Sequence, residues 1–316
     1  MVYGWLGAQF VALPYLTKSY SGQTVVVTGA NVGLRLEAAR HFVRLGAQKV
    51  IVAVRSRSKG EAAAKSIHES TGRGGVAEVW ELDLSPHSSV KAFAQRASTL
   101  ERLDIVINNA GILTRDFKLV EDNESTITVN VLSAMLLSLL LLPKLRETSV
   151  QFQKEVVLTF TGSFTHFMTD FPEQKENILK DLAIQENADM ANRSLLVVRE
   201  LAAQITESSS PGDITVSVVN PGFVKTSIMR NAGIVLKILF PPWRALIGRS
   251  AEKGSRTLLH GAAGGKETHG QYLDACAIAA PSDFVTSSGG HEVQKRLWRE
   301  FVETLEEINP SVSSNI

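Results

Sequence analysis

The chain has 316 residues, with 33 lysines and arginines against 32 aspartates and glutamates and a net charge of +1. This balance gives no long-range attraction to nucleic acid or to an anionic membrane, so nucleic acid is not expected as a partner. Hydrophobic residues make up 44% of the chain, which is enough for a large core, and the single cysteine, Cys276, excludes an internal disulfide and a zinc site built on cysteines.

The first feature along the chain is an apolar run over residues 2–16, which Gln9 and Pro14 interrupt. The run is shorter than the roughly 20 apolar residues of a spanning helix and lacks the marks of a secretory signal. It favours either a segment packed across the domain or a weak membrane-surface contact through the N-terminus. We therefore predict an extension over residues 1–20, a domain over residues 21–316, and a protein that is cytoplasmic or peripheral at an intracellular membrane.

Short β-branched runs then alternate with helical patterns. Strands are predicted over residues 24–27, 49–54, 76–82, 104–107, 155–160 and 214–219. Helical spacing is found over residues 37–45, 59–68, 88–100 and 131–146, and towards the C-terminus the chain predicts an edge strand over 271–273 and an amphipathic helix over 292–308. The alternation predicts an α/β fold with a doubly wound parallel sheet of the Rossmann type. The leucine-rich stretch that ends at Pro143 is too short to span a membrane and is expected to be a buried core helix.

A glycine-containing loop joins the first strand to the first helix. It reads Thr28-Gly29-Ala30-Asn31-Val32-Gly33-Leu34-Arg35. Glycines at such a turn let the backbone approach a pyrophosphate, whose charge is then met by amide groups at the helix N-terminus. We therefore predict that Gly29, Asn31, Gly33 and Leu34 bind a dinucleotide, with an ordinary strand-to-helix turn as the alternative.

The end of the second predicted strand is basic. Arg55, Arg57 and Lys59 lie there, and no acidic residue occurs between Val50 and Gly60. An enzyme that selects NAD would place an acid at this point against the ribose 2′-hydroxyl, whereas a basic cluster suits a 2′-phosphate. The cofactor predicted from this cluster, with Arg55 and Lys59 as ligands, is NADP(H). The alternative is a solvated basic loop.

Further motifs follow in one order along the chain: Asp83, Asn108-Asn109-Ala110-Gly111, Asn130, Ser163, and Asn220-Pro221-Gly222 followed by Val224 and Thr226. Together with the glycine loop they resemble the short-chain dehydrogenase/reductase family, in the branch that is similar to retinol dehydrogenases and recurs in fungal secondary metabolism. The resemblance implies that Asp83 holds the adenine, that Asn109 lines the adenosine side, and that Val224 and Thr226 border the nicotinamide. Read without the resemblance, Asp83 caps a helix and residues 220–222 form only a turn.

The catalytic group of that family is Asn, Ser, Tyr and Lys, and only Asn130 and Ser163 match it. The chain's tyrosines are Tyr3, Tyr15, Tyr20 and Tyr272, and none has a lysine four residues beyond it. Near residues 189–201 about seven residues are missing relative to similar proteins, close to two helical turns. Three explanations stay open: an error in gene prediction, a variant that binds without efficient hydride transfer, and a substitute acid among Asp189, His166 and Lys180.

Two more features bear on function. Arg35 stands where the family pattern has a third glycine, so it either crowds the pyrophosphate or reaches a phosphate itself. Residues 224–250 are apolar and rich in turns, which is typical of a substrate lid in similar enzymes and otherwise of a short helix packed on the core. We predict an NADP(H)-dependent oxidoreductase that interconverts a carbonyl and an alcohol on a lipophilic small molecule, possible as a homodimer. The alternative is a catalytically silent nucleotide- or ligand-binding relative.

Overall fold

The computed structural model describes residues 7–114, 117–167, 178–179, 193–225 and 247–316. The strands of its main sheet are β1 (Thr24–Thr28), β2 (Lys49–Val54), β3 (Ala77–Glu81), β4 (Ile105–Asn108), β5 (Val156–Thr161), β6 (Ile214–Asn220), β7 (Tyr272–Asp274) and β8 (Ala277–Ala279). The α-helices are α1 (Gly33–Arg44), α2 (Arg57–Thr71), α3 (His87–Ser98), α4 (Ser125–Phe152), α5 (Arg193–Glu207), α6 (Ala251–Ala263), α7 (Asp283–Thr286) and α8 (Ser288–Ile308).

The strands form one sheet in the order β8-β7-β6-β5-β4-β1-β2-β3. Neighbouring strands are parallel, except that β8 is antiparallel to β7. The side chains of Val25, Val26 and Val27 in β1 are all fully buried, because helices cover both faces of the sheet. The predicted doubly wound fold is confirmed. The strand order reverses between β1 and β4, and such a reversal opens a crevice at the carboxyl ends of the strands where ligands bind.

Helix α4 departs most from the prediction. It begins six residues before the predicted residue 131 and continues past Pro143 to Phe152. A proline inside a helix leaves the carbonyl four residues earlier without its usual donor. Here Asn315 Nδ2 donates to Leu139 O at 3.1 Å, so the C-terminal tail replaces the missing bond. Helix α4 is long and apolar enough to cross a membrane, but 89% of its most apolar stretch is buried inside the protein. The prediction of a buried core helix is confirmed.

The described part of the N-terminal extension packs against the rest of the protein. Gln9 is 5% exposed, and Arg256 Nη1 donates to Leu13 O at 2.8 Å. Phe10 and Val11, on the same segment, are 68% and 49% exposed. The packed alternative therefore describes residues 8–13, and a contact of the exposed side chains with a membrane surface stays a prediction.

Candidate active site

The crevice between β1 and β4 is shaped by one hydroxyl group. Thr28 Oγ1, at the end of β1, donates to Ile107 O at 3.3 Å and accepts from the backbone N–H groups of Asn109 and Ala110 at 3.0 and 2.9 Å. Thr28 is buried, so these bonds are shielded from water. The Thr28 side chain therefore holds the backbone of the Asn-Asn-Ala-Gly segment that follows β4 in place.

The glycine loop adopts the conformation that its glycines allow. Gly29 and Gly33 have φ values of +68° and +65°, in the left-handed region that favours glycine. Helix α1 begins at Gly33, its N-cap Val32 has no side-chain cap bond, and its first turn contains no acidic residue. The amide groups of this first turn therefore have no acceptor from the N-cap side chain, as an anion-binding helix terminus requires.

Arg35 folds back over this loop. A Cβ atom added to Gly29 would lie 2.6 Å from Arg35 Nη1 and 3.3 Å from Ala110 Cα, so the guanidinium rests on Gly29 beside the segment that follows β4. Burial lowers the pKa of Arg35. No described residue gives this guanidinium a hydrogen bond or an ion pair.

Asn109, in the segment that follows β4, has an unused polar atom. Its Oδ1 atom is buried and has no hydrogen-bond partner among the described residues. The neighbouring Asn108 is satisfied, because its Nδ2 atom donates to Ser138 Oγ at 2.9 Å. A buried acceptor without a donor costs free energy, so the Asn109 side chain fits a site that a ligand completes.

The basic residues after β2 lie at the start of α2. Arg55, Arg57 and Lys59 are exposed, and the first turn of the helix has no acidic residue. Arg57 Nε pairs with Glu61 Oε1 at 2.9 Å, whereas Arg55 and Lys59 have no ion pair with a described residue. Two unpaired cations therefore meet a helix N-terminus at the carboxyl end of β2, an arrangement suited to a phosphate.

Asp83 follows β3 at the same edge of the sheet. Its Oδ1 atom accepts from the backbone N–H of Ser85 at 2.9 Å, and its own N–H donates to Ser89 Oγ at 3.0 Å. Helix α3 begins at His87 and has Pro86 at its N-cap position. Asp83 therefore shapes the turn after β3 and is not the N-cap residue of the helix.

Asn130 lies in a π-helical turn of α4, over Thr128–Leu132. Its Oδ1 atom accepts from Ile112 N at 2.8 Å and its Nδ2 atom donates to Ile112 O at 2.9 Å. A Cβ atom on Gly111 would lie 3.0 Å from Asn130 Oδ1, so the glycine permits this close approach. The amide bridges α4 to the loop after β4, and its part in proton relay stays a prediction.

Ser163 lies just beyond β5 and is half-buried. Its Oγ atom accepts from Thr165 N at 3.3 Å, and its carbonyl oxygen is 2.7 Å from His166 Nδ1. A carbonyl only accepts, so Nδ1 carries the proton and His166 Nε2 is an acceptor, which is buried and has no partner among the described residues. Burial lowers the pKa of His166, which keeps the ring neutral.

Tyr272 does not replace the missing tyrosine. It is fully buried in β7 and packs edge-on against His166, with ring centroids 4.7 Å apart, and its hydroxyl makes no hydrogen bond to Ser163. Burial raises the pKa of Tyr272, which opposes ionisation of the phenol. Two other candidate acids, Asp189 and Lys180, lie outside the described residues.

The loop after β6 is held from the N-terminus. Gln9 Nε2 donates to Phe223 O at 2.9 Å and to Ile247 O at 2.8 Å, while Gln9 Oε1 accepts from Phe223 N at 2.9 Å. Arg249 Nη1 donates to Pro221 O at 3.1 Å, and Val224 forms a backbone bridge with Arg249. Residues 220–222 are therefore part of a built junction and not merely a turn.

The sequence patterns did not predict this junction. A signal for it was the polar residue Gln9 inside the apolar run over residues 2–16. Val224 is buried within the junction. Thr226, and with it residues 226–246 of the predicted lid, lies outside the described part of the chain.

The sequence and the fold of this chain are similar to those of known proteins. The sequence pattern of the family described as short chain dehydrogenase matches residues 23–156. A short chain dehydrogenase/reductase of Cryptosporiopsis sp., dmxR8, is 42% identical over 99% of both chains. A short chain dehydrogenase of Emericella nidulans, atnD, is 45% identical over 85% of this chain and 89% of its own.

The aligned span with the Cryptosporiopsis protein, 327 positions, exceeds the 316 residues of this chain by 11, so at least that many positions face gaps here. Among solved structures, an uncharacterised protein of Mycobacterium paratuberculosis superposes with a TM-score of 0.65 at 27% identity, covering 91% of this chain and 96% of its own. The chain belongs to the short-chain dehydrogenase/reductase family.

Proposed function

We propose that the chain is an NADP(H)-dependent oxidoreductase that interconverts a carbonyl and an alcohol on a lipophilic small molecule, and that its turnover is slow. The family is one of oxidoreductases with nicotinamide cofactors. The observation that carries the proposal is that, at the carboxyl ends of β1 and β4, helix α1 begins without a side-chain cap and Asn109 Oδ1 is buried without a partner among the described residues. Both features fit a dinucleotide.

The basic residues after β2 support NADP(H) over NAD(H). Arg55 and Lys59 are exposed and unpaired among the described residues, so they can meet a 2′-phosphate without giving up an existing ion pair. Charge-assisted bonds to a phosphate are stronger than bonds between neutral groups. The glycine loop, Asn109 and Asp83 would hold the remainder of the adenosine diphosphate.

The substrate side rests on Ser163 and on the apolar segment that follows Thr226. A bound nicotinamide would supply a hydride to the carbonyl carbon, and the electrons of the C=O π bond would pass to the oxygen, which then takes up a proton. Ser163 Oγ would donate a hydrogen bond to that oxygen. The apolar character of residues 234–243 suits a lipophilic substrate, such as a secondary-metabolite intermediate.

The proton is the weak point of this reaction. The sequence has no Tyr-x-x-x-Lys motif, and Tyr272 makes no bond to Ser163, so the proton would come from water. Loss of a positioned acid lowers a rate by at least about 10²-fold.

A second candidate function is a binding protein that holds the nucleotide without transferring hydride. The observations that favour it are the placement of Tyr272 behind His166 and the use of both Asn130 amide atoms by Ile112. Neither residue is free, as placed, to move a proton at Ser163.

Cofactor choice is tested by titrating NADPH and NADH into the purified chain by calorimetry. We expect NADPH to bind at least about tenfold more tightly than NADH, and the double variant Arg55→Ala with Lys59→Ala to lose this preference, because charge-assisted phosphate bonds are worth about 1.5–3 kcal/mol. Lys65→Ala on the same helix, whose side chain pairs with Glu69, is the matched control. Equal binding of both cofactors by the native chain would reject NADP(H) selectivity.

Turnover separates the two candidate functions. NADPH oxidation is followed by absorbance with a panel of lipophilic ketones, for the native chain and for Ser163→Ala. Slow oxidation that Ser163→Ala abolishes supports the oxidoreductase. Saturable NADPH binding with no oxidation of any ketone supports the binding protein instead.

A further inference from the structure

We propose that Arg35 is a ligand of the cofactor diphosphate, so that this chain has gained a cation at the position of the family's third glycine. The inference rests on the proposed cofactor and adds a residue to its site. The proposal concerns the diphosphate and is separate from the contacts of Arg55 and Lys59 with the 2′-phosphate.

The guanidinium of Arg35 lies against Gly29 in the glycine loop. Arg35 is the third residue of α1, and side chains on a helix point back towards its N-terminus. The Nη1 atom would lie 2.6 Å from a Cβ atom on Gly29, and the Cδ atom 3.1 Å from it, so the side chain lies along the loop that turns from β1 into α1. Ala110, on the other side of the crevice, would lie 3.3 Å from the same Cβ atom. The cation therefore lies at Gly29, where the chain leaves β1 and where Ala110, after β4, is also close.

The electrostatics of this position are unfavourable without an anion. A helix N-terminus carries partial positive charge, and a cation placed beside it is repelled. Burial lowers the pKa of Arg35, which reports that the charged form has lost solvation. The nearest acid along α1, Glu37, is paired with Arg40 at 3.2 Å. Among the residues that the structure describes, nothing neutralises Arg35, and the amide groups beside it equally call for an acceptor.

A diphosphate supplies what both groups lack. Guanidinium groups bind phosphate oxygens through two parallel N–H bonds, and the amides of a helix N-terminus bind the same kind of group. The absence of a side chain on Gly29 leaves the room in which Arg35 lies. The opposite hypothesis, that Arg35 only blocks this room, predicts tighter binding once the side chain is shortened.

Two nucleotide fragments isolate the contact. ADP-ribose carries the diphosphate without a 2′-phosphate, and adenosine 2′-monophosphate carries the 2′-phosphate without the diphosphate. We expect Arg35→Ala and Arg35→Gly to weaken NADPH and ADP-ribose by about tenfold or more, because a charge-assisted bond pair is lost, and to leave adenosine 2′-monophosphate within about twofold. Arg35→Lys keeps the cation without the planar fork, so its affinity should lie between those of the native chain and Arg35→Ala.

The outcomes of these titrations are distinct. Unchanged or tighter binding of ADP-ribose by Arg35→Ala and Arg35→Gly, in a native chain that binds NADPH, would overturn the role of Arg35 and leave the proposed cofactor standing. A native chain that binds neither NADPH nor ADP-ribose would reject the proposed function itself. Equal weakening of all three ligands would show a general disturbance of the fold and would also count against the inference. Arg35→Gly introduces the residue of the family pattern, so it guards against a failure of Arg35→Ala to fold.

Discussion

Thr28 shows how a single side chain can set the shape of a ligand crevice. Its hydroxyl is a donor to β4 and a double acceptor for the segment that follows, and these partners lie about 80 residues further along the chain, at separations of 79, 81 and 82. The Asn109 amide group is carried by that segment. The position of Asn109 Oδ1 therefore depends on Thr28.

Replacing Thr28 by valine tests this dependence. The change keeps the shape of the side chain and leaves the N–H groups of Asn109 and Ala110 without their acceptor, so we expect a loss of about 1–3 kcal/mol in the free energy of unfolding. NADPH should also bind more weakly, because the Asn109 segment is no longer held. Urea unfolding and calorimetric titration measure the two effects. Thr28→Ser retains the hydroxyl and is the control, and a valine variant as stable as the serine variant would contradict the assignment.

At the level of single residues, sequence patterns predicted residues that lie close together in the fold, but not the contacts that these residues make. Gly29, Gly33 and Asn109 were predicted from motifs and lie at the crevice, since backbone conformation and strand ends follow from local sequence. The pairing of Asn130 with Ile112 could not be predicted, because it depends on how a π turn in one helix meets a loop 18 residues away in sequence. The contacts of His166 could not be predicted either, because its Nδ1 atom bonds to the carbonyl oxygen of Ser163 and its ring packs against Tyr272.

Among the structural elements, the N-terminal segment makes contacts that the sequence did not predict. Its residue Gln9 joins the two ends of a segment that is apolar in sequence, at Phe223 and at Ile247. Gly222, with φ +73°, lets this junction close, since a Cβ atom there would lie 2.7 Å from both Gln9 Oε1 and Arg249 Nη1. Gln9 of the extension therefore helps to hold the loop that follows β6 in place.

Gln9→Ala should weaken this junction. The variant removes three hydrogen bonds from a residue that is 5% exposed, and we expect the free energy of unfolding to fall by about 1–3 kcal/mol. Hydrogen exchange at the Phe223 amide, which donates to Gln9 Oε1, should become faster. Gln48→Ala, at an exposed position, serves as the control. If exchange at Phe223 is the same in both variants, the junction does not depend on Gln9.

Helix α4 marks the limit of prediction at this scale. Apolar content and length predicted its burial, and its spacing predicted a helix over residues 131–146, whereas the helix runs from Ser125 to Phe152. The donor that Pro143 lacks is supplied to Leu139 O by Asn315, 176 residues further along the chain. Such a bond leaves no trace in the local sequence.

At the scale of the whole molecule, several buried or half-buried histidines couple stability to pH. Burial lowers the pKa of His41, His87, His166 and His260. The unfolded chain, with histidine pKa values of about 6.5, therefore binds more protons than the folded chain below that pH. The stability that these neutral histidines contribute is complete above about pH 6.5 and is lost as the pH falls towards their folded-state values.

We accordingly expect the urea midpoint of unfolding to fall as the pH is lowered from about 6.5, with the unfolding slope m little changed. Replacing His260 with glutamine should reduce the dependence on pH, because one of the coupled groups is removed. His291→Gln, at an exposed position, should leave it as it is. A midpoint that is constant or rises over this range would show that the buried histidines are not held neutral.

The overall fold was largely predictable, in contrast to these contacts. Strands buried on both faces are continuous apolar runs, and the helices between them carry their own periodicity, so the order of the elements follows from the sequence. The site was predictable only where motifs end strands. The identity of the proton donor was not, because no tyrosine in the sequence has a lysine four residues beyond it.

In the proposed function, the chain retains the dinucleotide site and has lost efficient proton transfer. The most direct measurement is to determine, on one preparation, the dissociation constant of NADPH and the steady-state rate of ketone reduction, beside the Cryptosporiopsis relative under the same conditions. We predict saturable NADPH binding together with turnover at least about 10²-fold below that of the relative. No NADPH binding, or turnover equal to that of the relative, would contradict the account.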